Sequence, residues 1–356
     1  MGLIIWLIVI QIAVILHEGA HYLVARMQGA KVSAFSVGMG PIIAKFKAAG
    51  TEWRLSALPI GGYVLIDDLG PESLEGQSKS RLTPWGKIAV LFAGPLSNWL
   101  LAILLMAGIF SSQGVPQTDY SKAEIHRVLP GSAAEKDGIK EGDLLVAIDG
   151  KPLPEQETVD GEPRMGYMKL QDAIRSKEPN TLTFQRGNTT YDVKLSFEWK
   201  AGARYGVEYS PKQNVKPVPN YFAALGEAWN QSIKIVPQAL QSFAKGITQT
   251  FTAPLSPSSE VAGPVASAQA AGALAREGGL WGVLTFATLV NMSLAIFNLI
   301  PIPGLDGGRI LLVVIQLLMR RPLQPAHEAM INFTGFVFLM VFMMLVFLGD
   351  IIRVIP

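Results

Sequence analysis

The sequence predicts a multi-pass α-helical membrane protein with four transmembrane helices, a membrane-associated β-region and an inserted α+β domain. Three observations carry this. Hydrophobic residues fill 49% of the 356 positions and charged ones only 16%, with a mean hydropathy of +0.32, a balance unlike that of soluble domains. Four apolar runs come close to or exceed the roughly 20 residues that cross a bilayer as helix. Between them, 31–66 alternates apolar and polar residues as strands do, and 119–212 reads as a water-soluble α+β block.

Residues 1–25 hold the first span, uncharged from Met1 to His17. No Lys or Arg precedes its apolar core as a signal peptide requires, and cleavage would remove residues 17–21, so the span is read as retained. Residues 26–85 form a cytoplasmic-side, membrane-associated β-region. Apolar and polar residues alternate there, and Gly50 and Gly61-Gly62 are expected at hairpin turns. Irregular backbone at membrane depth is tolerated only against protein or a wet cavity. The region therefore either offers an edge strand to an extended peptide or is a small hairpin domain with no role in binding. Residues 86–111 hold the second span, without charge from Ile88 to Phe110.

Residues 112–212 read as the inserted domain, with strands at 123–128, 144–148, 181–185 and 191–195 and helices at 133–136 and 168–175. In 213–277, Leu225, Trp229, Ile233, Val236, Leu240, Phe243 and Ile247 form one apolar helical stripe interrupted by Pro237. Such a helix lies on the membrane surface, against the inserted domain, or in a plain helix pair. Residues 278–320 hold the third span, Gly278 to Leu305, ending in a Pro- and Gly-broken segment. Residues 321–356 hold the fourth, Ala329 to Gly349, and the C-terminus. Basic residues crowd the loop between the first two spans (Arg26, Lys31, Lys45, Lys47, Arg54 and others), and Arg320 and Arg321 sit between the last two. That bias places both loops in the cytoplasm and the inserted domain outside.

The net charge of +2 gives no footing for nucleic-acid binding, and the absence of cysteine excludes disulfides, thiolate metal sites and cysteine catalysis. No nucleotide-binding glycine loop or Ser-His-Asp order emerges. What stands out is His17-Glu18-Gly19-Ala20-His21. Ionisable groups at membrane depth are costly and seldom kept without a function. Two of the four histidines make this pair, with His126 and His327 elsewhere. On a helix, His17 and His21 share a face and can bind one Zn²⁺, while Glu18 projects sideways as a general base. A solvated polar face is the alternative, and the uncharged surroundings leave it little room.

Two imidazoles do not complete a hydrolytic zinc site. In Asn298-Leu299-Ile300-Pro301-Ile302-Pro303-Gly304-Leu305-Asp306-Gly307-Gly308, prolines and glycines must break the helix. Asp306 is the only acid between Glu277 and Glu328. Alone it reads as a helix cap; beside HExxH it reads as the third ligand, leaving one tetrahedral position open. Ligand type favours zinc over iron or cobalt.

The HExxH span, Gly94-Pro95-Leu96-Ser97-Asn98 in span two, and Asn298 with Leu305-Asp306-Gly307 in span three together resemble the site-2 protease family over nearly the whole chain. Phe35 to Pro41 and Pro59 to Val64 are similar to that family's membrane-embedded β-region. Pro130-Gly131-Ser132-Ala133-Ala134, Gly142-Asp143-Leu144-Leu145 and Asp149-Gly150 resemble a PDZ domain, and Tyr205-Gly206-Val207 its carboxylate-binding segment in permuted order. The 95 or so residues available fit one PDZ-like unit, acting as a peptide groove, a gate or an inert plug. The family often carries Asn where this chain has Ser293.

The resemblance implies zinc-dependent cleavage of single-pass transmembrane substrates within the lipid bilayer of a bacterial inner membrane. Anti-sigma factors and remnant signal peptides are typical substrates, usually trimmed first by a site-1-type protease. It also implies that Asn298 steadies the substrate carbonyl or oxyanion. A peptide-binding scaffold with a vestigial motif, or a metal transporter, would be the rival readings.

Overall fold

The structure is a computed structural model that describes residues 1–69, 81–159, 162–176, 180–195, 205–252, 262–321 and 323–354. The chain divides into two compact units, Met1–Ser112 with Val218–Pro356, and the inserted Gln113–Pro217.

The first unit opens with α1 (Gly2–Met27), β1 (Val32–Ala48), β2 (Thr51–Ile66) and α2 (Pro84–Gln113). After the insertion come α5 (Tyr221–Thr252), α6 (Pro264–Leu299), α7 (Asp306–Met319) and α8 (Pro325–Val354). Among the described residues four helices are long and apolar enough to cross a membrane: α1, α2, α6 and Ala326–Ile352 of α8. With 26 residues at about 1.5 Å each, α1 is about 39 Å long, more than the hydrocarbon core requires. It lies along α6, with Trp6 and Val9 packed on Ala271 and Phe286. At one end Gly2 meets Ala268 and Gly272, where a Cβ would strike the Ala268 carbonyl. Small residues of this kind allow close helix approach without a hydrophobic driving force.

β1 and β2 are long, bulged and antiparallel, joined at Ala49-Gly50, both at positive φ as a tight hairpin requires. Residues 32–37 of β1 pair with 62–66, while Ala34 to Val37 also match Glu52 to Leu55, and Ala44 to Ala48 match Leu55 back to Thr51. The hairpin thus folds over itself, and 62–66 is left at one edge. Gly61-Gly62 lies within β2 where it doubles back, since Val37 pairs with both Leu55 and Gly62, and Gly61 takes a positive φ. A Cβ at Gly62 would come 2.8 Å from the Ser36 carbonyl, so this glycine serves close backbone approach. Much of the sheet is exposed and apolar, Ile43 at 67% and Leu58 at 57%.

Two further boundaries differ from the sequence reading. α6 is two helical halves meeting at Gly279, whose φ 55 and ψ −129 are non-helical, beside the start at Gly278 expected for the third span. It ends at Leu299, ahead of the broken segment. α5 runs through Pro237 without interruption, and it packs on the membrane-type helices. Trp229 stacks on Trp99 of α2, Phe243 meets Phe297 of α6, and Phe251 stacks on Phe338 of α8.

The inserted unit contains β3 (Val115–Val128), α3 (Ala133–Lys136), β4 (Leu144–Ile148), β5 (Lys151–Pro152), β6 (Gln156–Val159), β7 (Glu162–Met165), α4 (Lys169–Arg175), β8 (Thr181–Arg186), β9 (Thr189–Lys194) and β10 (Val207–Lys216). Its main sheet has the order β10-β3-β4-β8-β9, with β5 beside β4; β6 and β7 pair separately. Period-two residues Leu182 and Phe184 of β8, with Ile125 and Leu145, close on Leu170 of α4, all fully buried. Truncating any one of the leucines to Ala should cost about 2–5 kcal/mol.

Candidate metal centre

The 3.6-residue period of α1 sets His17 and His21 on one buried face, with their Nε2 atoms 3.1 Å apart. The carboxylate opposite comes from the far end of the chain. Pro301 and Pro303 cannot continue α6, and Gly304 turns the backbone at φ 95 before α7 begins at Asp306. Gly307 and Gly308 let that first turn sit against the loop, because their Cβ positions are taken by the Leu299 and Ile302 carbonyls. Oδ2 of Asp306 thereby lies 3.1 Å from Nε2 of His17 and 3.3 Å from Nε2 of His21.

These three donors form the only group of three or more such side chains that could hold a metal among the described residues. They fit a zinc ion on three counts. A tetrahedral ion with bonds of about 2.0–2.1 Å spaces its ligands roughly 3.3 Å apart, close to the separations seen. Nδ1 of His21 lies 2.7 Å from the Val90 carbonyl, to which it can only donate, so the Nε2 lone pair of the neutral ring is aimed at the cluster. Finally, Gly94 of α2 faces both rings. A Cβ there would fall 2.7 Å from Nε2 of His17 and closer still to Nε2 of His21, filling the space the donors surround.

Glu18 joins His21 and Asp306 in lining a cavity of about 490 Å³. The cavity's other wall is the edge of β2, Tyr63 to Ile66, with Arg309 of α7. A Cβ at Gly62 would lie 3.9 Å from Cγ of Glu18, and Val64 lines the same cavity as Glu18. Two polar groups hold this wall: Gln11 donates from Nε2 to the Gly61 carbonyl at 3.0 Å, and Arg309 donates to the Leu69 carbonyl at 3.2 Å.

The other expected site residues are placed apart from this cluster. Asn298 sits in the last turn of α6, half-buried and outside the cavity lining. In the inserted unit, Tyr205 is buried at 3% exposure and donates its hydroxyl to Asp137 at 2.8 Å. Its carbonyl accepts from Ala134 N, that of Gly206 accepts from Leu129 N, and Val207 opens β10 opposite Val128. Sequence reasoning gave no role to Gly94, Gln11 or Arg309. The available signal for Gly94 was its i, i+4 spacing with Asn98, the same interval as His17 and His21.

The sequence profile of Peptidase family M50 matches residues 5–342. A Clostridium perfringens protein carrying the name "putative zinc metalloprotease" is 31% identical over 347 residues, covering 95% of each chain. A Rhizobium meliloti protein of the same name is 30% identical, covering 96% of this chain and 93% of its own. A chloroplastic protein of Arabidopsis thaliana named a membrane metalloprotease is 31% identical, covering 85% of this chain and 68% of its own. Because the family match runs from within α1 to within α8, and so takes in both ends of the chain that meet at the cluster, the chain belongs to peptidase family M50, the site-2 protease family, and is a metallopeptidase of that type.

Proposed function

We propose that the protein is a zinc-dependent intramembrane endopeptidase acting on single-pass transmembrane substrates of the anti-sigma-factor or remnant-signal-peptide type, after a site-1-type protease has cut them. The observation that carries this is the convergence of His17, His21 and Asp306 beside Glu18, on a helix long and apolar enough to span a bilayer. His17, His21 and Asp306 would hold Zn²⁺, a reading that the donor set and the names of the relatives support. When bound, the ion supplies a Lewis acid that acidifies water and polarises a carbonyl.

Glu18 accepts the proton of the attacking water and returns it to the leaving amine. Asn298 is assigned to steadying the substrate carbonyl, by resemblance. A substrate helix must unwind before its carbonyl is accessible. The edge at 63–66, which lines the same cavity as Glu18, suits pairing with the unwound strand. The basic loops favour an orientation with the centre toward the cytoplasmic side of the bacterial inner membrane and the inserted, PDZ-like unit outside. In that unit the Tyr205-Gly206-Val207 segment, at the start of edge strand β10, gates or engages substrate.

The test is cleavage of a tagged single-pass substrate in detergent by wild type and Glu18→Gln, each with and without a zinc chelator. Glu18→Gln should retain zinc and lose at least ~10²-fold in turnover, and chelation should abolish wild-type cleavage. Normal turnover by Glu18→Gln would overturn the assignment.

A further inference from the structure

The second ring nitrogen of His17 faces α2. Asn98, fully buried at 0% exposure, sets its carboxamide nitrogen 3.3 Å from Nδ1 of His17. Its carbonyl oxygen, also buried, has no hydrogen-bond partner. This setting has a chemical consequence. An amide N–H directed at Nδ1 requires a lone pair there, which leaves the neutral ring's proton on Nε2. That proton would then point at Nε2 of His21 and Oδ2 of Asp306, where an ion needs a lone pair. Half a turn of the carboxamide reverses this, because Oδ1 then accepts from Nδ1–H and Nε2 is freed. The far end of the amide lacks a partner in either setting, so His17 alone decides between them.

We propose that Asn98 is the positioning residue of the metal centre: its carboxamide oxygen accepts from Nδ1–H of His17 and fixes the tautomer that can ligate. The inference rests on the reading of His17 as a metal ligand. It gives α2 a double role, since residues 94 and 98 lie on one face a turn apart. Gly94 leaves room for the ion and Asn98 orients one of its ligands, while the Val90 carbonyl, a further turn back, orients the other. Ligating histidines commonly donate their other nitrogen to a carbonyl or carboxylate, and losing that partner typically costs 10–100-fold in metal affinity.

The experiment is a zinc titration against a competing chelator on the full-length protein in detergent, with wild type, Asn98→Leu, Asn98→Asp and His17→Ala. Melting of each metal-free protein is recorded alongside. Asn98→Leu, with the same branching at Cγ but unable to accept, should bind zinc about 10–100-fold more weakly. Asn98→Asp, which accepts through a carboxylate, should stay within a few-fold of wild type. A role in packing alone predicts no such rescue. Wild-type affinity in Asn98→Leu overturns the proposal, as does equal loss in Asn98→Asp with unchanged metal-free melting. The His17→Ala control separates the two layers. If it too binds like wild type, the metal reading itself fails; if it loses zinc while Asn98→Leu does not, only the role of Asn98 falls.

Discussion

Two aspartates, fully buried Asp143 of the inserted unit and half-buried Asp306 of the other, are treated in opposite ways. Asp143 of the inserted unit is fully buried and saturated. Arg186 donates to both its oxygens at 2.7 and 2.8 Å, and Tyr191 and the Lys140 backbone each donate at 2.6 Å. Burial pushes its carboxyl upward, but the Arg186, Tyr191 and Lys140 bonds prevail and hold it below the ordinary carboxylate value. The same network holds the Tyr191 phenol well above its usual range, through burial and then through Asp143. Asp306 instead meets only two imidazole nitrogens among the described residues. In the same unit the buried side-chain oxygens of Gln11, Asn98 and Asn291 have no hydrogen-bond partner among the described residues. The lone pairs of Asp143 are occupied by donors of the fold, whereas Asp306 has beside it only ring nitrogens whose role as donor or acceptor follows the tautomer.

The contrast can be broken most sharply at Gly94. A methyl group there, within 2.7 Å of Nε2 of His17, should weaken zinc binding by at least about tenfold with helix content by circular dichroism unchanged. Zinc affinity equal to wild type in Gly94→Ala would mean that α2 does not bound the ion's space. At Asp143 the effect should fall on stability alone. Its folded pKa is depressed, so its contribution is complete above the unfolded value of about 3.9 and is lost as pH falls through the lower folded value. Arg186→Met should move the acid loss of hydrogen-exchange protection in 123–128 and 181–194 upward by about one pH unit or more. Zinc content at neutral pH should not change; a change would erase the distinction between the two carboxylates.

The smallest effect is expected at a third aspartate, buried Asp350 of α8. It accepts from the backbone N–H groups of Gly263, Val265 and Ala266 at 3.1–3.2 Å, capping α6 from a distant helix. By the same logic it is a fold carboxylate. Asp350→Ala should cost about 1 kcal/mol, a shift of a few degrees in melting, and Asp350→Asn less. Loss of zinc from Asp350→Ala would contradict this.

The polar members of the centre were legible because they are conspicuous. A His pair in an uncharged run and a lone acid in a broken one are costly to keep at membrane depth without a function, and the structure brings all three together. Glycines were harder, since the same residue marks a turn at Gly50, a close approach at Gly62 and a cradle at Gly94. Only the three-dimensional neighbour tells these apart. Arg276 and Glu277 end the apolar run beside the non-helical Gly279, and the Ala- and Gly-rich residues from Pro264 to that break, left out of the expected span, are helical as well. Pro237 did not interrupt α5, whose apolar side chains are anchored on three other helices. The pairing of Asn98 with His17 spans 81 positions, and no local pattern announces it.

His17 and Asp306 are separated by 289 residues, which gives the centre a history as well as a geometry. During synthesis α1 carries both imidazoles and Glu18 from the outset, yet the carboxylate that meets them arrives only after α6 has been made. Translation order therefore sets when the centre can assemble. A chain interrupted anywhere before the proline-broken loop holds His17-Glu18-Gly19-Ala20-His21 but lacks Asp306, so the three-donor group cannot yet form.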